Sequence, residues 1–211
     1  MKNFLRVLVI LVAVILPHLL PLPFFSFALV IMVMVWLFLK YDQSSFADIG
    51  FSFSKFKIRA LLYGVPLAIA IVVFTQFVTF PLIDLIFSFP ETEVEMYDKV
   101  EGDLSFYLLM VVMGWLIGGV YEEIIFRGFI FFQLKKVVAG KYKTQISFLL
   151  TSILFGLYHL QLGPADTINA FLAGMAYHLI FMKFKENLWY SIMCHGIYNT
   201  IVITLLYLGY L

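Results

Sequence analysis

Charged side chains are scarce in this sequence. Only 13% of its 211 residues are Asp, Glu, Lys or Arg, 63% are hydrophobic, and the mean hydropathy is +1.00. A soluble domain carries roughly 25% charged residues, so a chain with this balance has lipid as most of its solvent. An excess charge of either sign is also missing. The formal net charge is +1, which gives no basic field, and nucleic acid is not an expected partner. Cys194 is the one cysteine, so an internal disulfide is excluded and the fold must rest on helix packing. The amino-terminal run to Leu16 has the charged and apolar parts of a signal peptide but lacks a small-residue cleavage pattern. Pro17-His18-Leu19-Leu20-Pro21 follows instead, and an uncleaved first span is expected.

Long apolar runs are what the chain has in their place. They cover about 4–20, 23–39, 59–80, 104–132, 145–160, 166–182 and 188–209, each long enough to cross or nearly cross a bilayer. The expected fold is therefore all-α: a polytopic transmembrane helix bundle of about seven spans, forming one integral membrane domain over residues 1–211. Pro17, Pro21 and Pro23 separate the first two runs. We read two true spans there, with a re-entrant hairpin as the alternative.

Lys and Arg test that count independently. Lys2 and Arg6, then Lys40, Lys55, Lys57 and Arg59, then Lys135, Lys136, Lys141 and Lys143, then Lys183 and Lys185 fall on alternate connections. The other side carries Lys99 alone, among Glu91, Glu93, Glu95, Asp98, Glu101 and Asp103. The positive-inside rule then predicts a cytoplasmic N-terminus and an external C-terminus. Residues 41–58, with Phe46, Ile49, Phe51, Phe53 and Phe56 beside basic residues, suit either the cytoplasmic leaflet or packing on the bundle.

Arg127 is the cation that topology leaves unexplained, and it shares the fourth span with Glu122 and Glu123. An ionised group at bilayer depth costs at least about 2.5–3.5 kcal/mol, so three of them need partners or a wet cavity. Glu123 and Arg127 are four apart and suited to an ion pair that fastens helices. Glu122 lies about 100° around the helix and is left over for function. Phe155 and His159 close span five, and His195 and Asn199 share a face of span seven. A carboxylate, two imidazoles and a carboxamide from three helices are either metal ligands or acid–base groups around a water. His18 falls in the proline-rich connection and reads as interfacial. His178, in span six, reads as core, with a supporting role as the alternative. Counting rise per residue puts His195 about 12 Å and His159 about 22 Å from the basic end, so the two meet only if span five stops inside the membrane or span seven tilts or starts late. The Gly163-Pro164 connection is then expected to line the cavity.

EExxxR, FxxxH and HxxxN, in that order on successive spans, resemble the CPBP family of intramembrane proteases, comprising type II CAAX prenyl endopeptidases and the bacteriocin-processing or Abi proteins. The resemblance covers about residues 104–205, the expected catalytic core. It implies an intramembrane endopeptidase, glutamate-dependent or metallo-, acting on a membrane-associated peptide or protein, with a prenylated CAAX-like substrate as one version. It also implies that Glu122 with His159 activates water, that His195 and Asn199 complete the site, and that Glu123 and Arg127 support it. Zinc on Glu122, His159 and His195 is one version of this chemistry and is slightly preferred; a metal-free Glu122 base is the other. A multi-pass protein of a bacterial plasma membrane is expected by the same analogy. Within the family the alternative is bacteriocin self-immunity or a membrane scaffold or regulator. Outside it, a small transporter or proton relay would also place Glu, His and Arg in the membrane, although no repeated halves are evident. No HExxH is present to place two zinc ligands and a base on one helix. Cys194 and His195 diverge by about 100° on a helix and form no direct nucleophile–base pair, so Cys194 reads as packing.

Overall fold

The computed structural model describes residues 1–19, 26–87, 89 and 99–211. Pro21 and Pro23 of the proline cluster, and Glu91, Glu93, Glu95 and Asp98 of the acidic loop, lie outside the described residues. Seven helices follow one another with no strand among the described residues: α1 Lys2–Leu19, α2 Phe27–Tyr41, α3 Ile58–Phe87, α4 Leu104–Val137, α5 Lys143–Tyr158, α6 Pro164–Lys183 and α7 Leu188–Tyr207. The protein is an all-α membrane bundle. Of the described helices, α1, α3 and α4 are long and apolar enough to cross a membrane, and α2 is a shorter apolar helix. The others are shorter or carry polar residues that the bundle buries, such as Thr151, Asn169 and His195.

Local chemistry sets the ends. The Asp103 carboxylate accepts the Phe106 N–H at the start of α4, and the Asn187 side chain accepts the Trp189 N–H at the start of α7. Pro164 opens α6, where its missing N–H costs nothing. Lys135 and Lys136 close α4 and Lys183 closes α6, where cations offset the helix dipole. α3 runs past the expected residue 80 by widening at Thr75–Thr79, just before Pro81. Pro81 cannot donate to the carbonyl one turn back, and a wide turn absorbs the lost hydrogen bond.

The alternation of basic connections has a physical counterpart. Asp42, just after α2, pairs with Arg6 of α1 at 2.5 Å and with Lys136 of α4 at 2.6 Å, and Lys135 pairs with Glu186 before α7 at 2.6 Å. These groups therefore gather at one end of the bundle. At the other end the Gly102 N–H donates to the Tyr207 carbonyl at 3.2 Å, and the Tyr107 and Tyr207 rings lie 4.8 Å apart. Residues 42–57 follow the packing alternative. Ile49 is buried in the main core, Phe51, Phe53 and Phe56 contact the Trp189 ring, and Trp189 Nε1 donates to the Ser52 carbonyl at 2.8 Å. Phe53 nevertheless keeps 77% of its surface exposed. Gly50, at φ +94°, accepts the Leu188 N–H, and a side chain there would strike the Glu186 carbonyl.

Inside the bundle α7 packs on both α3 and α4, while α5 and α6 form a tight hairpin. Gly64 lets α3 approach Met193 and Cys194 of α7, and Cys194 is fully buried there, as a packing residue should be.

Asp42 supplies a test. Burial alone would raise its carboxyl, but hydrogen bonds and charge from Lys136 and Arg6 outweigh this and hold it below the usual carboxylate range. A depressed value contributes stability above about pH 3.9, the ordinary value, and that contribution disappears as pH falls through the folded value. Asp42→Asn is expected to cost about 1 kcal/mol at pH 7 and to flatten the acid loss of stability below about pH 4, measured by denaturation in detergent.

Candidate active site

α4 changes its winding where the polar residues begin. Leu104–Met113 and Phe131–Val137 are α-helical, but Gly114–Ile130 between them winds as a π-helix with i→i+5 bonds. Such winding is rare and concentrates at functional sites. Its glycines admit α7: a Cβ on Gly119 would lie 3.3 Å from Gly196 Cα, and one on Gly118 would collide with the Asn199 amide and lie 3.4 Å from His195 Nε2.

Glu123 and Arg127 form the expected ion pair at 3.1 Å, with side chains 0% and 1% exposed. Two further partners make it more than a fastening between turns. Glu123 Oε1 accepts from His195 Nδ1 at 2.9 Å, and Arg127 Nη2 donates to the Gly174 carbonyl at 3.0 Å. The guanidinium carbon lies 4.0 Å from the centre of the Phe155 ring, a desolvated cation–π contact. One buried pair therefore ties α4 to α5, α6 and α7. Gly174 has to be small, because a Cβ there would lie 2.7 Å from Phe155 Cδ1 and 3.2 Å from Arg127 Nη2.

Glu122 faces a cavity instead. Its Oε2 lies 4.0 Å from His159 Nε2 and 3.9 Å from His195 Nε2. The two consecutive glutamates thus address opposite nitrogens of one imidazole. His159 Nδ1 donates to the Phe155 carbonyl at 2.9 Å; a carbonyl has no proton to give, so Nδ1 carries the hydrogen and Nε2 presents a lone pair. The two histidines do meet across Glu122, and α5 ends just before the first of them. Its 16 residues rise about 24 Å and stop at Tyr158, leaving His159 outside the helix at φ −100°, ψ 10°. The chain then turns through Leu160–Leu162 and Gly163, at φ +105°, into α6. α7 begins at Leu188, so it does not start late.

Asn199 follows His195 by one turn, and its Nδ2 donates to the Gly114 carbonyl at 2.9 Å. Glu122, Phe155, His159, His195 and Asn199 all line one cavity of about 610 Å³. The Gly163-Pro164 connection was expected in this wall, but the turn contributes Leu162 instead. His18 is exposed with its ring 5.0 Å from that of Tyr158, and His178 is buried among Phe131, Phe148 and Phe181; neither lines the cavity.

Tyr177 is the participant that sequence reasoning did not find. Its ring stacks on His195 at 4.3 Å with planes 16° apart, so the imidazole is held by a carboxylate on its edge and an aromatic face. Nothing in its sequence context marks it, since an aromatic in an apolar span is ordinary. The Gly118-Gly119 pair just before Glu122 was a visible signal of close helix approach.

The donor types suit zinc: two imidazole nitrogens whose partners fix the rings, and a carboxylate. Bonds of 2.0–2.1 Å in a tetrahedral site need ligand atoms about 3.3 Å apart, however, and 3.9–4.0 Å is wider. Among the described residues no group of three such side chains is drawn close enough to hold an ion as it stands.

Breaking the buried pair tests its role. Arg127→Met removes the charge that balances Glu123 and is expected to cost about 3–5 kcal/mol, whereas adding Glu123→Gln to it should recover a large part of that loss. Chemical unfolding in detergent measures both.

Comparison with known proteins bears on the same segment. No curated protein and no solved structure matches the chain significantly. Residues 104–201 do match a family model, described as type II CAAX prenyl endopeptidase Rce1-like. Glu122, Glu123, Arg127, His159, His195 and Asn199 all fall inside that segment, which is similar to the type II CAAX prenyl endopeptidases.

Proposed function

We propose that this protein is an intramembrane endopeptidase that hydrolyses a peptide bond in a membrane-associated peptide or protein, with the water activated by Glu122 and His159. The observation that carries the reading is the convergence of one carboxylate oxygen and two imidazole nitrogens, from α4, the end of α5 and α7, across gaps of 3.9–4.0 Å on a cavity wall. Gaps of that size are too long for direct hydrogen bonds and suited to one shared water.

The chemistry follows from the partners. Water adds to the scissile carbonyl as Glu122 takes its proton, and the His159 lone pair orients it. The C–N bond then breaks, and Glu122 returns the proton to the departing amine. Asn199 keeps a second amide hydrogen beyond the one given to Gly114, which suits the oxyanion. His195, when protonated, would donate to the same oxygen from Nε2, with Glu123 behind Nδ1 stabilising the imidazolium. When bound, zinc on Glu122, His159 and His195 would acidify the water and polarise the carbonyl. Glu123, Arg127 and Tyr177 position His195.

The family match over residues 104–201 supports a protease and, by analogy, a prenylated CAAX-type substrate. The basic residues support a cytoplasmic N-terminus, and we assign the protein to a bacterial plasma membrane.

The test is turnover of a prenylated CAAX peptide and of an unlipidated transmembrane peptide by purified protein in detergent. Glu122→Gln is expected to lower kcat by about 10²–10⁴-fold with an unchanged melting transition. Chelator-sensitive turnover restored by zinc would favour the metal version. Turnover that survives Glu122→Gln, or a cellular phenotype that does, would end the assignment and favour a scaffold or immunity role.

A further inference from the structure

We infer that Asp166 and Asn169 of α6 form a subsite for a cationic side chain, so that the substrate carries a lysine or arginine close to the bond that is cut. The inference rests on the protease reading above and adds a charge requirement on what that site accepts.

Charge in the cavity is unbalanced. Of the described residues that line it, Glu122 and Asp166 are carboxylates and none is Lys or Arg. Arg127, which does not line it, is already matched by Glu123. Asp166 has no hydrogen-bond or ion-pair partner among the described residues, and these include every Lys and Arg of the chain. A carboxylate inside a lipid-embedded bundle is retained where something pairs with it or uses it. The chain supplies no cation to Asp166, and a bound substrate can.

The start of α6 accounts for the sign of the charge. Asp166 stands in the first turn, just after Gly163 and Pro164, where the helix dipole favours a negative group. It does not account for Asn169. That residue follows by three positions, which puts both side chains on one face of α6. Asn169 is 8% exposed and lines the same cavity, and its Oδ1 is buried with no hydrogen-bond partner among the described residues. A buried acceptor without a donor is costly. Two neighbouring acceptors, one of them charged, call for a donor that is also a cation. Lysine offers three N–H groups and arginine five, with no acceptor on either. A hydroxyl or a backbone N–H would satisfy Asn169 and leave Asp166 uncompensated.

Adjacent helices extend the patch. Gln76 lines the cavity from the wide turn of α3, which packs on α6, and Tyr198 lines it from α7. Both side chains can accept the remaining hydrogens of an ammonium or guanidinium group. Met110, Met113 and Val202 supply apolar wall, which suits the methylene stem of such a side chain.

Depth places the subsite beside the cleaved bond. In the α5–α6 hairpin a Cβ on Gly156 would lie 3.0 Å from the Thr167 carbonyl oxygen and 2.9 Å from Phe171 Cβ. His159 follows Gly156 by three residues, and Asp166 precedes the middle of that contact by three on the antiparallel helix. The two therefore stand at nearly one level, and His159 Nε2 lies 4.0 Å from Glu122 Oε2. Extended backbone covers about 3.3 Å per residue, so a lysine or arginine within about three residues of the scissile carbonyl has Asp166 in reach.

Binding reads this requirement without turnover. Glu122→Gln protein in non-ionic detergent is titrated with fluorescent transmembrane peptides. A single lysine, or norleucine as its uncharged counterpart, is moved one position at a time through an otherwise apolar host. At least one register is expected to bind about tenfold tighter with lysine than with norleucine. Asp166→Asn, which keeps the side-chain shape, is expected to erase that difference, and Asp166→Lys to transfer the preference to a glutamate peptide. Asn169→Leu is expected to reduce the lysine preference about threefold, and it supplies a second readout if Asp166→Lys does not fold. With Glu122 intact, Asp166→Asn is expected to raise KM for the lysine peptide about tenfold and to keep kcat within about twofold. No lysine preference in any register, or one that survives Asp166→Asn, would overturn the inference. That result leaves the role of Glu122 standing, whereas turnover that survives Glu122→Gln removes the protease reading and leaves the charge preference in binding intact.

Discussion

A carboxylate held in a bundle whose surroundings are lipid has to be compensated at close range, and the Glu123 carboxylate is compensated twice. Arg127, one turn away, supplies the charge, and His195 supplies a ring N–H from another helix. Because Arg127 also reaches Gly174 and the Phe155 ring, the position of α5, α6 and α7 around α4 depends on this one buried group. An uncompensated ion at this depth is costly enough that the helices cannot drift apart independently.

The same arrangement leaves Glu122 free to face the cavity. π-winding of Gly114–Ile130, with glycines where α7 passes, brings consecutive glutamates to the two nitrogens of one imidazole. Glu123 fixes the ring from behind, Tyr177 covers its face, and Glu122 meets it across a gap of water size. Fastening thus falls to Glu123, while its neighbour Glu122 is left facing the cavity. Early termination of α5 completes the set, since His159 belongs to the turn and not to the helix. Non-helical backbone at this depth is tolerated where it lines a cavity.

Much of this was legible beforehand. Apolar runs gave the helices, because in lipid every backbone polar group must be satisfied within its own segment. The basic connections gave the common end, which the Asp42 ion pairs then displayed in space. Arg127 was identifiable as an anomaly, and the i, i+4 spacing named its partner. The tripartite motif named Glu122, His159, His195 and Asn199, and the structure brings all four to one cavity. The true ends of α3 and α4 were not legible, because wide turns and a glycine-lined contact let both run further than hydropathy alone suggests.

What the sequence determined by itself was the helix order, the shared end of the basic loops and the identity of the polar residues, since each depends on spacing along one segment. What only the tertiary structure decided was which residues touch: Tyr177 on His195, Gly174 beneath Arg127, Glu122 between two rings, and one cavity lined by residues of α3 to α7. Those facts depend on how separate helices pack side by side, and no periodicity within a single helix encodes the distance to its neighbour.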